Sequence, residues 1–121
     1  MKNFITTQDW SKDELQDILD YAKDLKTNKF QETLKNKSVA LLFFNPSMRT
    51  RTSFELGIQE LGGYAVVLHP GKDAWPIEFK PNTVMDSESE EHIIEVAKVL
   101  SEYCDLIAIR AFPKLKTKIL E

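Results

Sequence analysis

Ser47-Met48-Arg49-Thr50-Arg51 sets two guanidinium groups and two hydroxyls within five residues. Hydroxyls donate single hydrogen bonds, and a planar guanidinium grips two oxygens of a phosphate or carboxylate at once. An apolar run, Ser38-Val39-Ala40-Leu41-Leu42-Phe43-Phe44, leads into this segment and is broken by Asn45-Pro46. Behind it Phe54, Ile58 and Leu61 recur at helical spacing. The segment therefore lies where a strand turns into a helix, and a helix start offers unpaired amides and partial positive charge to an anion. The plain alternative is that Ser47 is an ordinary N-cap and that Arg49 and Arg51 face water. No glycine-rich stretch runs into Lys-Ser or Lys-Thr, which excludes a nucleotide P-loop.

Any anion site must be local. The 121 residues carry 16 basic and 19 acidic side chains, a net charge of -3. That balance argues against a general nucleic-acid binder, which needs massed Lys and Arg. Cys104 is the single cysteine and only His69 and His92 could join it, so neither an intrachain disulfide nor a zinc cluster is expected. Cys104 reads as a small apolar residue at a helix end. No run approaches the roughly 18 apolar residues of a membrane span. The first residues lack a secretion pattern, and a cytoplasmic protein is the default expectation.

The elements that must hold these residues follow from capping and period. Ser11-Lys12-Asp13-Glu14 fits a capping box, with Leu15, Ile18, Leu19, Ala22 and Leu25 behind it, and predicts a helix over residues 12–25. Residues 26–37 are polar and suit one short helical turn. The apolar run from Ser38 suits a strand covered on both faces. The helix from Arg49 ends at Gly62-Gly63, and Tyr64 to Leu68 reads as a second buried strand. Residues 72–88 show no period and read as a long surface loop carrying Trp75 beside Lys72 and Asp73. Glu90 and Glu91 are expected to open a helix with Ile93, Ala97, Leu100 and Cys104 on one face, its acidic start suiting the dipole. Asp105 to Arg110 is a third strand. Strands alternating with helices imply an α/β fold, a parallel sheet flanked by helices, with ligands beyond the strands' carboxyl ends. The Ser47 segment, the long loop and Arg110 all fall there.

Ser47-Met48-Arg49-Thr50-Arg51, followed by Thr52-Ser53-Phe54-Glu55 and Leu61-Gly62-Gly63, resembles the Ser-X-Arg-Thr-Arg signature of the aspartate and ornithine transcarbamylase family. Phe43-Phe44-Asn45-Pro46, the run from Pro70 to Phe79, Val84-Met85-Asp86 before Glu90-Glu91-His92, and Arg110-Ala111-Phe112-Pro113-Lys114 look most like its N-acetylornithine branch. The resemblance implies a Rossmann-like carbamoyl-phosphate-binding domain over residues 1–121. It also implies carbamoyl transfer to an amine, without metal or organic cofactor, in arginine biosynthesis.

By the same resemblance, Ser47, Met48 through its backbone, Arg49 and Thr50 hold the phosphate. Arg110 contacts phosphate and carbonyl oxygen, and Arg49, Thr50 and Arg110 form the catalytic set. Trp75, which could equally fold onto the core, would reach into a neighbouring subunit's site in a homotrimer. Glu90, which could equally compensate a helix dipole, would lie near the acyl group of the acceptor; the succinylornithine branch has proline there. Asp86 and Glu91 read as surface or capping residues. N-acetylornithine leads as acceptor, ahead of N-succinylornithine and ornithine. The family's His-Pro-X-Gln segment and acceptor-binding domain have no counterpart, so an incomplete domain without useful turnover is expected. A non-catalytic anion-binding or assembly module is the alternative from another class.

Overall fold

The computed structural model describes residues 2–85 and 90–112. Asp86, Glu88 and the family-like Pro113-Lys114 lie outside these residues. A 3-10 turn at Thr7–Asp9 precedes helix α1, Lys12–Leu25. The capping box forms as the sequence requires: the Glu14 amide donates to Ser11 Oγ at 3.2 Å, and the Ser11 amide to Glu14 Oε2 at 2.7 Å. The apolar stripe of α1 is not buried, and Leu19 is 58% exposed.

Three parallel strands follow in the order β2-β1-β5, with β1 at Ser38–Phe43, β2 at Tyr64–Leu68 and β5 at Leu106–Arg110. Val39 lies between Ala65 and Leu106, and Phe43 lies opposite Arg110. Every residue of β1 after Ser38 is buried, as its unbroken apolar run demands of a strand covered on both faces. Val39, Leu41 and Phe43 point to one face and pack with Ile58 of helix α2, Arg49–Glu60. Ala40 and Leu42 point the other way. Helix α3, Ile93–Tyr103, packs against β5 on that side but leaves Ile107 and Ile109 exposed. No described helix is long and apolar enough to cross a membrane.

Charge fixes the amino ends of the strands. Asp105 Oδ1 accepts from Lys37 Nζ at 2.7 Å and Oδ2 from the Ser38 amide at 2.9 Å. The Lys37 ammonium, with the Ser38 amide behind it, holds the Asp105 carboxyl below its ordinary value. At the far end of α2, Gly62 adopts φ +82° and the Gly63 amide donates to Ile58 O at 2.8 Å, a glycine-dependent helix stop.

The segment between β2 and α3 departs from expectation. Residues 72–88 are not a structureless loop: β3, Ile77–Glu78, pairs in parallel with β4, Glu91–His92. Glu90 and Glu91 therefore do not open α3. The helix begins at Ile93 with His92 as N-cap, whose Nδ1 accepts from the Ile94 amide at 3.2 Å. Glu95 is the acidic residue of its first turn, so Glu90 has no helix dipole to compensate. Val96 rather than Ala97 is buried, because the phase of the helix turns Ile93, Val96 and Leu100 inward and Ala97 toward solvent. Cys104 is the half-buried C-cap.

Candidate functional site

Beta1 is the strand at which the chain reverses direction across the sheet, going to β2 on one side and returning to β5 on the other. In such sheets a crevice opens beyond the carboxyl ends at this point. The residues there are the end of β1, the start of α2 and the end of β5.

Pro46 has no amide hydrogen to extend the ladder, so β1 stops, although the Phe44 amide still donates to Arg110 O at 3.1 Å. Helix α2 then starts without a side-chain cap. Its N-cap residue is Met48, in helical backbone conformation (φ −88°, ψ −59°), and Ser47 is not the cap. The other two α-helices are capped by Ser11 and His92. Ser47 instead turns its Oγ to Arg110, whose Nη1 donates to it at 3.0 Å and also donates to Thr50 Oγ1. Residues 60 or more positions apart are thus joined at the amino end of α2.

Arg110 reaches this point because Phe43 is its neighbour in register, which sends its side chain to the α2 face. Its guanidinium lies 5.3 Å from the Phe112 ring centre. The Nε atom is buried and has no hydrogen-bond partner among the described residues. A buried charged donor left unpaired costs about 1–3 kcal/mol or more. An uncapped helix start beside a guanidinium has the chemistry that suits an anion.

Arg49 and Arg51 both face outward from the first turn of α2. Arg51 Nε is held by Glu55 at 2.9 Å, whereas Arg49 makes no ion pair among the described residues. The Met48 side chain is exposed. A cavity of about 50 Å³ lies beneath Thr50 and Arg110, between Leu41, Phe43 and Phe54. That is well below the roughly 300 Å³ at which small-molecule pockets begin. The cavity by itself does not enclose a substrate.

Trp75 and Glu90 are not brought into this cluster. Trp75 is 56% exposed and does not fold onto the core. A tight turn presents it: Gly71 adopts φ +81°, and Asp73 accepts from the His69 amide at 2.6 Å and pairs with His69 Nδ1 at 3.0 Å. The backbone bond and then the imidazole of His69 lower the Asp73 carboxyl from its ordinary value. The His69 ring stacks on Phe43 at 5.7 Å, tying the turn to the end of β1. His92 accepts from Ile94 through Nδ1, so its Nε2 carries the hydrogen toward Lys80 O at 3.0 Å. Both histidines are thereby occupied structurally. Glu90 is exposed and immediately precedes β4.

One neighbour of the site has no sequence signature. Asn45 Oδ1 accepts from the Phe112 amide at 3.1 Å, linking the end of β1 to the segment after β5. An asparagine before proline reads as a turn former, and nothing local marks a partner 67 residues away.

A family model described as aspartate/ornithine carbamoyltransferase, carbamoyl-P binding domain, matches residues 2–121. The N-acetylornithine carbamoyltransferase of Xanthomonas campestris pv. campestris is 65% identical over 114 residues, covering 94% of this chain and 34% of that protein. The ornithine carbamoyltransferase of Prochlorococcus marinus subsp. pastoris is 40% identical over 111 residues, covering 92% of this chain and 32% of its own. A crystal structure of acetylornithine transcarbamylase complexed with acetylcitrulline superposes with a TM-score of 0.89 at 65% identity, over 94% of this chain and 34% of that one. The chain spans about a third of the length of the relatives it matches.

Proposed function

Because the chain belongs to the aspartate/ornithine carbamoyltransferase family through its carbamoyl-phosphate-binding domain, we propose that it supplies the carbamoyl-phosphate half of an N-acetylornithine carbamoyltransferase. The observation that carries this reading is the Arg110 guanidinium bridging Ser47 and Thr50 at an uncapped helix start, with its Nε unpaired. The greater identity to an acetylornithine-type relative than to an ornithine-type one, 65% against 40%, favours the acetylated acceptor.

In this reading the phosphate of carbamoyl phosphate sits on the amides of α2's first turn, the Ser47 and Thr50 hydroxyls and the Arg49 guanidinium. Arg110 spans the phosphate and the carbonyl oxygen. The acceptor amine forms its bond to the carbonyl carbon, negative charge gathers on the carbonyl oxygen, and the phosphate leaves with the electrons of the broken C–O bond and takes up the proton that the amine nitrogen sheds. Donors already fixed in place stabilise both charges without reorganising. No covalent enzyme intermediate is required; holding the reactants in line supplies much of the rate. Residues 1–121 act as the carbamoyl-phosphate-binding domain, incomplete by itself, with a separate domain binding the amine. Glu90 borders the acyl group of the acceptor, and Trp75 completes the site of a neighbouring subunit in a cytoplasmic homotrimer of arginine biosynthesis. The exposure of both side chains and the small cavity at the cluster are consistent with a site finished by other parts.

Calorimetric titration of the chain with carbamoyl phosphate tests the reading, with inorganic phosphate as competitor. Binding that Arg49→Ala weakens by about tenfold or more, the worth of a charged hydrogen bond, is the expected result. Binding as strong in the Arg49→Ala and Arg110→Met variants as in the wild type would overturn the placement of the phosphate.

A further inference from the structure

Arg110 is the last residue of β5, and two hydrogen bonds hold the chain just after its side chain branches. The Phe44 amide donates to Arg110 O at 3.1 Å, and the Phe112 amide donates to Asn45 Oδ1 at 3.1 Å. Phe112, whose ring lies under the guanidinium at 5.3 Å, is therefore fixed from the opposite strand. A long cationic side chain with an unpaired buried Nε has little else to restrain that end of its fork. We infer that Asn45 is a positioning residue: by clasping the Phe112 amide it holds that ring under Arg110 and so sets the guanidinium in the orientation that meets the anion. The inference rests on the reading of Arg110 as the anion-binding group.

An apolar or larger side chain at position 45 would leave the Phe112 amide without its acceptor. An aspartate would still accept from it. The chemistry at this position thus requires a short side chain with an sp2 oxygen, in a turn that proline has already shaped.

The test is NMR of the whole 121-residue chain, following the Arg110 Nε–Hε signal and hydrogen exchange at the Phe112 amide. The wild-type guanidinium signal is expected to be sharp and resolved, identified by its loss in Arg110→Lys. Asn45→Ala is expected to broaden it and to speed Phe112 exchange by about tenfold, one neutral hydrogen bond's worth, with exchange along β1 and β2 unchanged. Asn45→Asp is expected to restore both. An Asn45→Ala chain with the wild-type signal and wild-type exchange overturns the inference. Should Asn45→Ala fail to fold, the wild-type chain decides: Phe112 protected as well as Phe44 supports the clasp, and Phe112 exchanging at an unprotected rate overturns it. Inorganic phosphate added to wild type separates the two readings. A shift of the Nε–Hε signal supports the role of Arg110, whereas an unmoved signal overturns that role even where the clasp is intact.

Discussion

Replacing Arg110 with methionine separates its worth to the fold from its worth to the ligand. The change removes the Nη1 bonds to Ser47 and Thr50, which together contribute about 3 kcal/mol for a charged donor and neutral acceptors. It also removes a buried unpaired Nε–H and a positive charge, a relief of about 2 kcal/mol. The freed hydroxyls belong to half-buried Ser47 and Thr50, which water can reach. The net loss of stability is therefore only about 1 kcal/mol, while phosphate loses a two-point contact worth about 1.5 kcal/mol or more, a factor of about ten in affinity. Urea unfolding in chloride and in phosphate at equal ionic strength reads both terms. At a phosphate concentration a hundredfold above its Kd the wild type should gain about 2.7 kcal/mol, and the variant about 1.4 kcal/mol. A variant that loses more than about 3 kcal/mol in chloride yet keeps the full phosphate gain would show that Arg110 is a structural brace, and the reasoning from its unpaired Nε would fail.

Further outcomes follow from the packing. Asp105, whose carboxyl is lowered by Lys37 and the Ser38 amide, contributes stability above its ordinary value of 3.8 and loses it as pH falls through the lowered folded value. Asp105→Asn should flatten the acid limb of stability below about pH 4, measured as urea midpoints across pH; an unchanged limb refutes the pairing. Gly63→Ala places a methyl 2.9 Å from Leu34 Cβ and 3.1 Å from Ile58 Cγ2. A cost of about 1–3 kcal/mol in chemical denaturation is expected. Ser11→Ala removes a capping box worth about 1 kcal/mol from a helix with no buried residue. Circular dichroism should lose helix signal while the midpoint of sheet unfolding barely moves. Trp75, at 56% exposure, should account for most acrylamide quenching, and Trp75→Phe should reduce it far more than Trp10→Phe does, since Trp10 is partly buried.

The helices and strands that read true from sequence are those whose signals are local. The bounds of α1 follow from Ser11 and Glu14, β1 from seven residues without a charge, and the end of α2 from Gly62-Gly63. Beta3 and β4 escaped notice because two residues a side carry no period; they exist only through their mutual pairing. The start of α3 was misplaced because Glu90-Glu91 has the composition of a first turn, while the cap is a histidine, an uncommon residue for that role. At the site, Ser47, Arg49 and Thr50 announce themselves by type. Arg110 needs the resemblance, since a lone arginine ending a strand says little. Asn45 acts through a backbone amide 67 residues away and leaves no trace in local sequence.

The parallel order β2-β1-β5 also orders events in time. Beta1, α2 and β2 are contiguous, so their pairing closes a short loop, whereas Phe43 meets Arg110 only after the whole intervening chain has been gathered. Late closure of the long loop is the entropically slower event. On that ground β5 is the last of the three to dock, and the cluster of Ser47, Thr50 and Arg110 forms in the same step that completes this sheet. A ligand that recognises only the finished site has nothing to grip in the folding transition state. Phosphate should therefore slow unfolding in stopped-flow experiments and leave the refolding rate where it was, acting as a latch on a door already shut.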